Sequence, residues 1–274
     1  MNEQKYTWQD LLDIMKKLRS EDGCPWDIEQ THQTLKKYLL EETYEVMDAI
    51  DKNNPQELCE ELGDLLLQVV FHAQIASDNS TFNIEDIIHS ISQKMVSRHQ
   101  HVFGKNKLNT ADDVVNVWEI IKKKEKGNKT HQDVLSQIPK NLPSLIRAYK
   151  VQQKAALVGF DWDEISDVWN KVYEEINELK EVLENDNKIQ TKNTKLKNSE
   201  KTNKNLNEEI GDCIFALVNL ARFLDIHPEF AVTSTTEKFI KRFGFIEQEA
   251  QKKGLNLEDM SLEEMDKFWE ESKK

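Results

Sequence analysis

Two pairs of acidic residues constrain this chain's fold more than any other feature. In the segment LLEETYEVMDAIDKNNPQELCEELGDLLLQVV, residues 39–70, Glu42 and Glu45 are three apart, and so are Glu61 and Asp64. That spacing places each pair on one face of a helix. Asn53, in the turn Lys52-Asn53-Asn54-Pro55, is the midpoint of both Glu45/Glu61 and Glu42/Asp64. Folding the chain there into an antiparallel helical hairpin brings the carboxylates level, two by two. The pattern returns in the second half, with Glu174, Glu175 and Glu178 on one helix and Glu209 and Asp212 on the next.

The rest of the sequence supports helices throughout. Eight glycines and five prolines punctuate 274 residues, most stretches repeat their apolar positions with a 3.6-residue period, and strand-like alternation is nearly absent. The reading is an all-α fold, a tandem repeat of one helical-bundle module. A first helix runs from Trp8 to Leu18 behind a Thr7/Asp10 capping box. A turn, Asp22-Gly23-Cys24-Pro25-Trp26-Asp27, follows. Leu39, Thr43, Val46, Met47 and Ile50 give the second helix its apolar stripe. Asn54 caps a third helix that starts at Pro55 and buries Leu58, Leu62, Leu65 and Val69. Asn83 opens a fourth helix that ends near Arg98, and Thr110 with Asp113 opens a shorter one holding Trp118.

After a linker over 126–140 the pattern restarts, giving an N-terminal domain over 1–125 and a C-terminal domain over 141–274. Helices are expected at 142–157, 165–184, 205–224 and 228–253, with a Ser261/Glu264 capping box before Trp269. Residues 185–205, rich in Lys and Asn and poor in aliphatics, read as an expanded hairpin loop. Superposing the halves pairs Glu42, Glu45, Glu61 and Asp64 with Glu175, Glu178, Glu209 and Asp212. Lys94 and Arg98 then pair with Lys238 and Arg242, and Trp118 with Trp269.

Charge and cysteine usage narrow the function classes. A net charge of −13 argues against nucleic acid or an anionic membrane as partner, but a metal can invert the local charge. The three cysteines, Cys24, Cys59 and Cys213, form no C-x-x-C pair; Cys59 and Cys213 read as buried thiols in a reduced cytoplasm. The N-terminus has no signal-like apolar region, and no apolar run approaches the roughly 20 residues of a membrane span. The expectation is a soluble, cytoplasmic protein.

Crowded carboxylates repel, so either some stay protonated or divalent cations compensate them. All-oxygen donors with open positions select Mg²⁺, with Mn²⁺ a workable substitute. Across from such a cluster, Lys94/Arg98 and Lys238/Arg242 suit a phosphate chain. Trp118 and Trp269 could face a base or pack in the core. Gly63 and Gly211, each beside the last acid of its set, suggest close helix approach. His72, His89, His99 and His101 read as structural, with His72 and His89 isolated. A di-iron bundle would need Glu-x-x-His pairs in the acid sets, whereas the second members here are Glu45, Asp64, Glu178 and Asp212.

The pattern E-E-x-x-E followed by E-x-x-D on the next helix resembles the all-α nucleoside triphosphate pyrophosphohydrolases. With the duplicated module and Gly23-Cys24-Pro25-Trp26-Asp27, the whole chain outside 185–205 is similar to two-domain MazG proteins. The resemblance implies Mg²⁺-dependent hydrolysis of NTPs or dNTPs between the α- and β-phosphates, with broad base tolerance, in nucleotide-pool cleansing or alarmone control. Carried over by position, Glu175, Glu178, Glu209 and Asp212 would ligate Mg²⁺, and Glu174 or Glu175 would serve as base. Lys171, Lys238 and Arg242 would hold phosphates, and Trp269 would contact the nucleotide. Glu42, Glu45, Glu61 and Asp64 would be a second metal set, with Lys94, Arg98 and Trp118 a second nucleotide site. Homodimers are also implied. Tyr38 stands where the second half has Lys171, which assigns the activity to the C-terminal module. Asn205 stands where the family often has a Lys before E-x-x-D, with Lys204 beside it. The competing reading is a nucleotide-sensing or protein-interaction module that binds without turnover.

Overall fold

The computed structural model describes residues 5–104, 110, 113, 114, 117, 118, 121, 130–185 and 200–273. They are helical, with no strand among them, and the chain divides into two compact units, Met1–Glu125 and Lys126–Lys274.

The first unit holds α1 (Trp8–Leu18), α2 (Pro25–Glu29), α3 (Lys36–Asp51), α4 (Pro55–Asp78), α5 (Ile84–Arg98) and α6 (Gln100–Phe103). Thr7 and Asp10 close the capping box of α1, the Thr7 amide donating to Asp10 at 2.7 Å. Beyond α1 the chain turns back so tightly that a Cβ on Gly23 would lie 2.1 Å from the Leu18 carbonyl oxygen, which only glycine tolerates. Pro25 then opens α2, so the segment expected as a plain turn contains a short helix. Proline's fixed φ serves a first helical position as well as a turn, and composition does not separate the two.

The α3–α4 hairpin forms at the expected place. Asn53 adopts φ +52°; its amide donates to the Ile50 carbonyl at 3.0 Å, and that of Asn54 to Ala49 at 3.3 Å. These are the two bonds of a Schellman termination, with asparagine in the left-handed position. The Asn54 side chain then accepts from the amides of Gln56 and Glu57, capping α4. Met15, Leu35, Val70, Phe71 and Ile75 form the core, with Leu11, Leu12, Tyr38 and Leu67 against it. The buried face of α4 is therefore its C-terminal half, where α1 covers it. Leu62, on the N-terminal half of α4 that lacks such cover, and Val69, which flanks the core residues Val70 and Phe71 without joining them, are expected inside but are 48% and 38% exposed. Arg19 clasps this layer, its Nε 2.7 Å from Asp78 Oδ2 and its guanidinium also donating to the Asp27 and Gln30 carbonyls.

Asn83 caps α5 with Asp86 closing the box. Asp113 donates its amide to Thr110 Oγ1 at 3.2 Å, but most of the expected 110–121 helix lies outside the described residues.

The second unit holds α7 (His131–Ser136), α8 (Ser144–Ala156), α9 (Ile165–Asn185), α10 (Glu200–Phe223), α11 (Pro228–Lys252), a 3₁₀ turn (Leu257–Asp259) and α12 (Leu262–Glu271). α7 falls inside the segment read as a linker, capped by Thr130 and Asp133, and Ile138 behind it is buried. α10 starts at Glu200, so the last residues of the supposed 185–205 loop are helical; residues 186–199 lie outside the described set. Val168, Val172, Ala216 and Leu220 join α9 to α10, and Gln152 Nε2 donates to the Phe215 carbonyl at 2.8 Å, fixing α8 to α10. Ile246, Ala250, Met260 and Phe268 form a second core between α11 and α12. Arg222 at the end of α10 pairs with Asp161 at 2.5 Å, the same kind of clasp as Arg19–Asp78 with its signs exchanged.

Two further expectations change. Cys59 is exposed and Cys213 half-buried, so neither is the fully buried thiol expected. A Cβ on Gly63 or Gly211 would meet nothing within 4 Å, so close approach of another helix of this chain does not explain either glycine. No described helix is long and apolar enough to cross a membrane.

Candidate metal centre

The hairpins bring three acids of each set together. Glu42, Glu45 and Glu61 each offer a carboxylate oxygen, all within 4.8 Å of one another, and Glu175, Glu209 and Asp212 do the same in the second unit. The fourth acid of each set stands outside its trio. Asp64 still raises the pKa of Glu42, and Glu178 feels Glu175 and Glu209. The two-by-two level arrangement is thus corrected to three acids with a flanking fourth, because side chains one helical turn apart point in slightly different directions.

Burial first, then the crowded charges, push three of these carboxyls up. Glu42 is raised by burial and by Asp64, Glu45 and Glu61. Glu61 rises through burial, Glu45 and Asp64, and Glu178 through burial, Glu175 and Glu209, with Lys171 opposing. The neighbouring Cys213 thiol is raised by burial and by Glu175, Glu209 and Asp212, and so stays protonated at neutral pH. Glu175, 7% exposed, is the one buried acid of the two sets.

The sets differ in their counter-charge. Lys171 Nζ lies 2.8 Å from Glu174 and 2.6 Å from Glu175, contacts that the i, i+3 and i, i+4 spacing could have announced. Tyr38 stands in the first unit at the position of Lys171. Its ring meets Trp26 edge-on at 5.8 Å, and Lys37 Nζ sits 4.5 Å from its centroid. Among the described residues no Lys or Arg forms an ion pair with Glu42, Glu45, Glu61 or Asp64. Trp26, Gln30, Gln33, Thr34, Lys36, Lys37 and Tyr38 line an open cleft of about 600 Å³, which sequence did not indicate.

The remaining site residues divide. Arg242 and Trp269 come together, the guanidinium 5.5 Å from the ring centroid, and Trp269 also meets Phe239 at 5.2 Å and packs on the α11–α12 core. Lys238 is exposed one turn earlier. No ion pair joins Lys238 or Arg242 to the acids among the described residues. Trp118 donates its indole N–H to the Arg98 carbonyl at 2.9 Å and meets His99 edge-on, so its polar edge is committed; Lys94 is exposed. Lys204 pairs with Glu208 at 3.7 Å. His72 is not isolated: its Nδ1 lies 2.8 Å from that of His32, the rings stacked at 5.0 Å. Forty positions separate the two, a contact that local pattern could not reveal.

The donor set of the second unit fits a hard divalent cation. It is all carboxylate oxygen, gathered within 4.8 Å around a buried member, with one ammonium for several acids. Such donors suit Mg²⁺, which keeps positions for water and phosphate.

Comparison with known proteins agrees with this chemistry. A model of the MazG nucleotide pyrophosphohydrolase domain matches twice, at residues 30–103 and 165–244. The chain is 42% identical over 273 residues to the Thermotoga maritima nucleoside triphosphate pyrophosphohydrolase/pyrophosphatase MazG, covering all of this chain and 98% of that one. It is 43% identical over 265 residues to the Escherichia coli K12 nucleoside triphosphate pyrophosphohydrolase, covering 96% of each. A Bacillus subtilis protein of unassigned function, YabN, is 49% identical over 261 residues, which are 95% of this chain and 50% of that one.

Proposed function

Because the chain belongs to the MazG nucleotide pyrophosphohydrolase family, we infer that it hydrolyses nucleoside triphosphates to the monophosphate and pyrophosphate, with its principal working site in the C-terminal unit. The observation that carries this assignment is the Glu175–Glu209–Asp212 trio with Lys171 beside it, against an N-terminal trio whose equivalent neighbour is Tyr38. Four acids would hold Mg²⁺, with Mn²⁺ as substitute: Glu175, Glu209, Asp212 and the flanking Glu178. A cation held there would supply Lewis-acid polarisation of a phosphoryl group and a site for the attacking water.

The chain's own residues do the rest. Arg242 grips phosphate oxygens with its fork, while Lys171 and Lys238 act as point charges. Trp269 offers its ring to the base; a flat apolar face discriminates weakly among bases, which supports broad tolerance. Of the two candidate bases, Glu174 is the exposed one and can pass a proton to solvent, whereas Glu175 is buried. The N-terminal set retains the donors for a cation and takes a regulatory or structural role, with Lys94, Arg98 and Trp118 a weaker second nucleotide site.

Apolar residues left open on the hairpins, among them Leu62, Leu66, Ile210, Ile214 and Leu217, support a homodimer in which a second copy covers them. The free cysteines suit a cytoplasmic setting. Purified protein given Mg²⁺ and a panel of NTPs and dNTPs should release pyrophosphate, and Glu175→Ala should abolish the release. Orthophosphate alone, or turnover untouched by that change, would refute the assignment.

A further inference from the structure

We propose that Lys171 is the resident counter-ion of the metal-free C-terminal carboxylates, held on Glu175 and Glu174 until a divalent cation takes Glu175, and then transferred to the phosphate chain of the substrate. The proposal rests on the function inferred above and adds a role that residue type alone does not specify. Lys171 Nζ is 2.6 Å from Glu175 Oε1 and 2.8 Å from Glu174 Oε1, so in this structure its charge serves the acids, not an incoming anion. Glu175 is shared: it lies in the same 4.8 Å group as Glu209 and Asp212. A divalent ion on that group and an ammonium on the same carboxylate repel each other, and one must leave.

The two partners differ in freedom. The Lys171 side chain is 36% exposed and that of Glu175 only 9%, so the lysine moves and the glutamate stays. Lysine suits this exchange as a compact charge on a flexible stem. Glu174, with its side chain 55% exposed, is a second resting partner on the outer side. The N-terminal unit is the control built into the chain. There Tyr38 takes the position, packed against Trp26, and among the described residues no ammonium pairs with the trio. The C-terminal set should therefore bind a cation alone less tightly than its geometry allows, and bind cation and triphosphate together more tightly. Lys171 thereby couples the two ligands.

The test uses the full chain carrying Glu42→Gln and Glu61→Gln, which leaves one acid set to titrate, and Mn²⁺ as the probe, followed by its free-ion paramagnetic resonance signal. Without nucleotide, Lys171→Met should bind Mn²⁺ about three- to tenfold tighter than the parent, the range expected when a partly exposed pair stops competing. With saturating Mn²⁺, the same variant should bind an α,β-methylene triphosphate analogue at least about tenfold more weakly. Lys171→Gln, checked for helicity by circular dichroism, must repeat both shifts. Unchanged or weaker Mn²⁺ binding in the folded variants, or unchanged analogue binding, overturns the counter-ion role. If the wild-type chain releases no pyrophosphate while Mn²⁺ binding still tightens, the inferred reaction fails and the counter-ion role stands.

Discussion

Replacing Glu175 by glutamine tests whether the C-terminal acids are kept for chemistry or for stability. The substitution preserves shape and removes one charge. Lys171 attracts Glu175 across 2.6 Å, worth about 6 kcal/mol at an effective dielectric near 20. Glu209 and Asp212, each within 4.8 Å, repel it by about 7 kcal/mol together at the same dielectric. These gross terms nearly cancel, and the partly exposed lysine keeps Glu174 as a partner after the change. Glutamine also relieves the cost of holding a charge out of water at a site only 7% exposed. The metal-free stability of Glu175→Gln should therefore lie within about 1 kcal/mol of wild type, a shift of no more than about 4 °C in the melting temperature. Pyrophosphate release should fall by at least about a hundredfold, since loss of even an outer-shell partner costs ten to a hundredfold. Thermal melts with chelator, paired with a pyrophosphate-release assay, give both numbers. A loss above about 3 kcal/mol would show that Glu175 holds the fold together, and retained turnover would remove it from the metal centre.

Three other outcomes follow from the same geometry. Glu42→Gln takes one charge from a set with which no Lys or Arg among the described residues pairs, so it should raise the melting temperature of the metal-free protein and leave pyrophosphate release unchanged. Gly23→Ala puts a Cβ where the Leu18 carbonyl oxygen already sits, 2.1 Å away, and should lower stability by about 1–3 kcal/mol in urea unfolding; a neutral result would mean the turn relaxes freely. Burial and His32 hold the His72 imidazole below its ordinary value of 6.5. A depressed folded pKa contributes stability that is full above 6.5 and lost as pH falls through the lower folded value. Melting temperature should accordingly drop on acidification below about 6.5, and His72→Asn should flatten that dependence.

Features governed by neighbours in sequence were legible beforehand. The Thr7/Asp10 and Ser261/Glu264 boxes and the Asn54 and Asn83 caps all form as expected, because each is an i, i+3 or shorter contact that competes with no distant one. The α3–α4 hairpin was legible because asparagine tolerates a positive φ and proline suits a helix start. Whether a helix face is covered depends on elements far along the chain. The apolar spacing puts Leu62 inside, yet the cover from α1 reaches only the C-terminal half of α4, and there Val69 flanks the core without joining it. The Arg19–Asp78, Arg222–Asp161 and His32–His72 contacts span 59, 61 and 40 positions, and no local pattern encodes them. Lys171 lies between these cases. Its spacing from Glu174 and Glu175 was readable, but its value to a phosphate chain hid its value to the acids. Three of four acids in each set converged as the hairpin implied, and the fourth did not, because helical spacing fixes a face but not the reach of each side chain.

The inferred reaction is hydrolysis of a nucleoside triphosphate between its α- and β-phosphates at the C-terminal carboxylates. The direct measurement is ³¹P NMR of the products when the full chain turns over ATP with Mg²⁺, run beside Glu175→Gln and Glu61→Gln. AMP and pyrophosphate should appear in equal amounts from the wild type and from Glu61→Gln, and neither from Glu175→Gln. ADP with orthophosphate, or turnover that follows Glu61 instead of Glu175, would contradict it.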